Sequence, residues 1–172
     1  QQPSRHLIKN HIRRPTTLLA TGNPKYLPKV RERAHKVGRP GVELDVNNKG
    51  MVSWGWGYTN LFLTEYYLAT GDKHVIPAIT EYSTKIAMGQ SAVGTWGHGI
   101  AHPSDNYGAL HGALGGYGAI NQTGLTCSIS LVLANKCGVD NEEISTAIKR
   151  SAAFFRYYVD KGAVPYGYHG PW

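Results

Sequence analysis

Acidic residues are scarce in this chain. Only 11 of its 172 residues are Asp or Glu, and charged residues of both signs make up 17%, against about 25% in an average globular domain. Chemistry that needs several carboxylates, such as aspartate-rich magnesium motifs or paired acids across a groove, starts at a disadvantage. There are two cysteines. Cys127 and Cys137 fall on one expected helix, about 15 Å apart along its axis, which exceeds disulfide reach; both read as small buried apolar side chains. No apolar run approaches about 18 residues, so no membrane-spanning helix is expected, and no signal-peptide pattern opens the chain. An initiator Met is absent too, and the close at Gly170-Pro171-Trp172 reads as a piece of a longer protein.

Glycine, by contrast, is over-used, with 21 in 172 residues, about 12% where about 7% is usual, and without a collagen-like triplet. With 41% hydrophobic and 10% aromatic residues the chain can bury a sizeable core. The net charge is +7, and nine of the 18 basic residues lie in the first 36 positions. They are interspersed with Pro, His and apolar residues, and no zinc finger, basic arm or RNA-binding signature accompanies them, so nucleic acid is not the expected partner. The balance favours an anionic partner of another kind.

Self-similarity organises the rest. Leu19-Ala20-Thr21-Gly22-Asn23 returns as Leu68-Ala69-Thr70-Gly71-Asp72 at an offset of 49, and the same offset carries Pro28 onto Pro77. Gly57, Thr59 and Gly71 map onto Gly124, Thr126 and Gly138 at an offset of 67. The unit is helix, glycine turn, helix. Leu27, Val30, Ala34 and Val37 recur at helical spacing, as do Ile76, Ile79, Ser83 and Ile86, and then Ile144, Ile148, Ser151, Phe155 and Tyr158. Pro28 and Pro77 suit first turns, and Asp140-x-x-Glu143 has capping-box spacing. The periodicity predicts helices near 27–37, 59–70, 74–88, 124–136 and 141–160. The segments 59–69 and 125–136 are apolar nearly all round, which implies inner helices between outer amphipathic ones. Residues 1–18 are expected to be a basic, extended N-terminal segment, and 19–172 the repeats.

This layout resembles the α/α-toroid folds, in which helical hairpins form a closed ring around inner helices. The runs Trp54-Gly55-Trp56-Gly57-Tyr58-Thr59-Asn60, Gly94-Thr95-Trp96-Gly97-His98-Gly99 and His111-Gly112-Ala113-Leu114-Gly115-Gly116-Tyr117-Gly118 resemble more closely a bacterial family of predicted secreted toroid proteins with no established activity. The resemblance covers roughly 19–172. It implies an all-α fold, an α/α-toroid segment of about three helical hairpins forming a partial ring, and an extracellular or periplasmic location. A full ring has about five to seven hairpins, so the remainder of a longer chain or other subunits would complete it. Phe62, Leu63, Tyr66 and Tyr67 are expected to stay partly uncovered without them.

Each outer helix is followed by an aromatic, glycine and histidine cluster, expected on one rim. Trp54, Trp56, Trp96, His98, Tyr166, Tyr168 and His169 are the candidate substrate-binding residues, because flat aromatics with polar tips suit sugar rings and glycine lets the backbone approach a ligand. The third copy carries 18 extra residues after Gly99, a stretch rich in His, Asp, Asn and Tyr, and insertions in repeat arrays often lie on the binding face. Gly108-Ala109-Leu110-His111-Gly112 resembles the Ala-His-Gly motif of the zinc-dependent lanthionine cyclases. Their ligand cysteines are missing here: Tyr168-His169-Gly170 has Tyr where Cys-His-Gly belongs, and no cofactor or metal is implied.

Polysaccharide β-elimination needs a base, an acid and a group that neutralises a uronic carboxylate, without an acidic pair. His111 or His102 can be the base, Tyr107 or Tyr117 the acid, and Asn106 or Asn121 the neutraliser. The expected function is therefore a carbohydrate-binding or carbohydrate-active module for an acidic polysaccharide. A non-enzymatic structural or assembly module of a larger extracellular protein is the alternative.

Overall fold

A computed structural model of the chain describes residues 15–39, 50–101, 114 and 118–167. Six helices occupy most of them: α1 (15–20), α2 (Leu27–Val37), α3 (Val52–Thr70), α4 (Ile76–Met88), α5 (Asn121–Lys136) and α6 (Glu142–Arg156). The described residues contain no β-strand, only an isolated bridge between Ile120 and Gly167. The chain is all-α. Helix α1 overturns part of the N-terminal expectation: residues 15–18 are helical, with Pro15 in the first turn, where a proline's missing N–H costs nothing. Residues 1–14 lie outside the described set.

The repeated turn is built twice from the same hydrogen bonds. After α1, Thr21 donates its hydroxyl to the Leu18 carbonyl and accepts from the Asn23 amide, while Asn23 Oδ1 accepts from the Lys25 amide. After α3, Thr70 donates to Tyr66 O and accepts from Asp72 N, while Asp72 Oδ1 accepts from the His74 amide. Gly22 and Gly71 occupy the left-handed region at φ 63° and 68°, where a Cβ is penalised. A single 3-10 turn then leads into α2 and into α4, each with proline in its first turn. The third turn has Gly138 at φ 82°. There the cap is Asn141, whose Oδ1 accepts from Ile144 N at 2.9 Å. The expected capping box is thus displaced by one residue, and Asp140 instead accepts a hydrogen bond from Ser145 Oγ.

Helices α3 and α5 lie side by side and parallel. Cys127 Sγ contacts Ser53 O, Asn60 Nδ2 donates to Ser130 Oγ, and Cys137 Sγ contacts Thr64 O, a sequence that ascends along both helices together. The outer helices α4 and α6 are parallel as well: Asn141 meets Thr84, and Gln90, just past α4, reaches Ala147 O. Asn60 ties the layers, since its amide also donates to Ser83 on α4 at 3.0 Å. Phe62, Leu63 and Tyr66 are fully buried, which corrects the expectation that they need further hairpins to cover them. On the two inner helices the exposed large apolar residues are others: Leu68, Leu125, Ile129 and Val132. Both cysteines are free and buried. Burial pushes their thiols up, Cys137 to about 11, as expected for apolar packing groups.

A carboxylate network locks the turn after α3. Asp72 Oδ2 accepts from the buried Tyr66 hydroxyl at 2.6 Å and pairs with His35 Nε2 of α2 at 2.7 Å. These bonds, Tyr66 first, hold the Asp72 carboxyl well below the usual range.

Two outcomes follow from this packing. Asn60→Ala is expected to lower stability by about 1–2 kcal/mol, read as a lower urea midpoint at unchanged slope. Because the Asp72 carboxyl is depressed in the folded chain, its stabilising share is complete above about pH 4 and is lost as pH falls below that. Urea midpoints measured from pH 6 to pH 2.5 should fall more steeply below pH 4 in the wild type than in Asp72→Asn.

Candidate functional site at the mouth of the inner helices

Because α3 and α5 run parallel, both begin at the same edge of the array, and the connection that follows α4 is drawn to that edge. Gln90 Nε2 donates to the carbonyls of Gly94 and Ala147. Gly94, at φ 96°, lies so close to α6 that a Cβ would stand 2.5 Å from Arg150 O. This approach buries Trp96, whose indole N–H donates to Ile86 O at 2.8 Å. The Trp96 carbonyl accepts from Ile120 N, and Asn121 binds the last described segment through its amide N–H to Tyr166 O and its side chain to Pro165 O.

On this base sits a cluster of three rings. His98 O accepts from Ser53 N, which holds residue 98 against the first turn of α3. Trp54 Nε1 then donates to His98 Nδ1 at 2.8 Å, and the two rings lie 6.0 Å apart and 26° from parallel. Tyr58, one turn further along α3, also stacks with Trp54, its ring centroid 6.3 Å away. All three side chains are part-exposed. Donating to Nδ1 fixes the neutral imidazole in the tautomer protonated on Nε2.

The same side of α3 continues through Leu61, Glu65 and Leu68 at helical spacing. Burial raises the Glu65 carboxyl above its ordinary value. On α5, Leu125, Ile129 and Val132 stand opposite the buried Cys127, Leu131 and Ala134. The parallel packing of α3 and α5 turns both exposed stripes to one face. The result is an apolar surface with an aromatic and histidine cluster at one end and a single half-buried carboxylate within it.

Of the expected substrate-binding residues, Trp54 and His98 come together here, and Tyr166 is exposed at the same end of the array. Trp56 and Trp96 do not belong to a rim: they are 8% and 0% exposed and form part of the core. Residues 54 and 56 lie on a helix, where two positions apart means about 200° of rotation, so one indole faces outward and the other inward. Asn121 is 2% exposed, with its amide engaged by Pro165 O, and is a packing residue rather than a surface neutraliser. His102, Asn106, Tyr107, His111, Tyr117, Tyr168 and His169 lie outside the described residues. Tyr58 and Glu65 were not expected as site residues; their signal was helical phase, four and eleven positions after Trp54. Among the described residues no group of three or more His, Cys, Asp or Glu is placed to hold a metal ion, and no helix is long and apolar enough to cross a membrane.

No curated protein and no solved structure matches the chain. Residues 9–172, nearly its whole length, match the family described as "Domain of unknown function (DUF6288)", and the chain with its six-helix array and aromatic mouth belongs to the DUF6288 family.

Proposed function

We propose that the chain is a segment of an α/α-toroid that binds an acidic polysaccharide outside the cytoplasm, in the extracellular space or periplasm. The observation that carries this reading is the part-exposed Trp54–Tyr58–His98 stack at the start of an inner helix. Flat rings with polar edges suit the apolar face and hydroxyl rim of a pyranose. The +7 charge favours an anionic polymer. The ring architecture is supported by two parallel hairpins, α3–α4 and α5–α6, each closed through a left-handed glycine and set in the same inner-outer order. Elimination chemistry, if the chain performs it, falls to His102, His111, Tyr107 and Tyr117 of the insertion: one takes the proton beside the carboxylate, the glycosidic C–O bond breaks, and another protonates the leaving oxygen.

A second reading, assembly of the array against further hairpins, is favoured by the exposed stripe Leu125, Ile129 and Val132. The two readings separate by mutation. In affinity electrophoresis against pectate, alginate and hyaluronan, Trp54→Ala is expected to weaken retention about tenfold, about 1.4 kcal/mol, with the helical spectrum unchanged. Ile129→Asp should leave retention intact and abolish only self-association or association with other subunits. Absence of retention on every acidic polymer overturns the glycan reading. A rise in ultraviolet absorbance on any uronate polymer, lost in His111→Ala, assigns elimination to the insertion.

A further inference from the structure

The far end of α3, about 24 Å from Trp54 by helical rise, carries a polar cluster that the glycan reading does not use. Its centre is Asp72, which accepts from Tyr66 Oη, from His35 Nε2 and from the backbone amide of His74. Two donors share Oδ2, so the carboxylate is acceptor only, and both Tyr66 and His35 must donate to it. Neutral His35 therefore carries its proton on Nε2. Nδ1 is left as a lone-pair acceptor that takes no hydrogen bond from the described residues. The ring cannot turn away freely, because the His74 imidazole lies against it at 4.3 Å. A carboxylate that fixes the tautomer and direction of an imidazole is a way of presenting the other nitrogen to something else.

That histidine borders an open groove of about 430 Å³ along α2, lined by Pro24, Leu27, Pro28, Arg31, Glu32 and His35. The groove is shallow and lies along the surface of the helix, so what it offers a ligand is its row of side chains rather than enclosure. Its lining is one apolar strip, one guanidinium and two acceptors. Arg31 offers a planar fork of donors that matches a carboxylate. His35 Nδ1 and Glu32 can each accept from a hydroxyl. A simple carboxylic acid would leave both acceptors unused, and a neutral sugar would leave the guanidinium unused. An acid that also carries several hydroxyls and one apolar face uses all three.

We propose that the α2 groove is a binding site for a small polyhydroxylated carboxylic acid of the uronic-acid class, with Arg31 on the carboxylate and His35 and Glu32 on hydroxyls. Asp72 is a positioning residue that acts through His35. The site is separate from the Trp54 cluster and does not require it.

Imidazole nitrogen correlation spectra of the ¹⁵N-labelled full chain, titrated with glucuronate, test the assignment. A saturable shift of His35 Nδ1 is expected, with affinity at least tenfold weaker in Arg31→Gln and unchanged in Trp54→Ala; His35→Gln, which lacks that nitrogen, is followed through the backbone amide shifts of α2 and should also bind at least tenfold more weakly. Glucose and acetate should each bind at least tenfold more weakly than glucuronate. In Asp72→Asn the Nε2-protonated tautomer of His35 should lose its dominance and affinity should fall with it. Arg31 is exposed but reaches the Tyr66 hydroxyl, so the Nε2-protonated tautomer of His35 is checked in Arg31→Gln, where it should be retained while affinity falls. No saturable shift with glucuronate overturns the proposal, as does equal binding of acetate or glucose, or full affinity in Arg31→Gln. Because Trp54→Ala is carried in parallel, failure here and failure of polysaccharide binding at the mouth are read separately.

Discussion

The close parallel approach of α3 and α5 is the constraint on which the rest of the molecule depends. Gly57 makes it possible: a Cβ there would stand 3.1 Å from Cys127 Sγ, tighter than side chains tolerate without a shift. Gly124 on α5 answers to other neighbours: a Cβ there would collide with Thr95 of the connection after α4 and press on Phe155 of α6. A glycine inside a helix costs about 0.5–1 kcal/mol relative to alanine, and here the cost is offset by interlocked packing along the full length of both helices. The parallel direction has a topological consequence. Each outer helix must carry the chain back to the edge from which the next inner helix starts, so turns collect at one end of the array and the longer connections at the other. The aromatic cluster lies where it does because of that sorting.

How legible each feature was in the sequence depended on how far apart its causes lie. The Thr-Gly-Asn and Thr-Gly-Asp turns are made within five residues, by a hydroxyl, a left-handed glycine and a cap, and their recurrence located the hairpins. The start of α3 was misplaced by seven residues for the opposite reason. Trp54-Gly55-Trp56-Gly57 looks like turn chemistry, yet Gly57 answers to Cys127, seventy positions away. Phe62, Leu63 and Tyr66 were recognised as apolar all round, but which neighbours would cover them follows from the arrangement of α2, α4 and α5 and not from their own spacing. The pair of His35 and Asp72 is likewise joined only by tertiary packing.

The tryptophans show how one residue type divides between core and surface. Trp96 gives its N–H to a buried backbone carbonyl and is enclosed, which satisfies the one polar atom that would otherwise oppose burial. Trp54 gives its N–H to a histidine at the edge of the fold and keeps ring surface in contact with solvent. A side chain that is hydrogen-bonded at its edge and held against neighbouring rings loses little freedom when a flat ligand meets it. Sequence proximity placed Trp54 and Trp56 in one cluster; helical geometry separates them.

The two ends of the array also differ in what joins the helices. At the turn end, a hydroxyl, a left-handed glycine and a capping side chain close the turns after α1 and α3 within five residues, and the oxygens of Asp72 have donors from a tyrosine, a histidine and the backbone. At the mouth the connection after α4 is longer and is pinned at a few points: Gln90 reaches Gly94 and Ala147, Trp96 O accepts from Ile120 N, and Asn121 holds Pro165 and Tyr166. Between such pins a longer connection can vary without disturbing the hairpins, which is where a repeat array can alter its chemistry and keep its architecture.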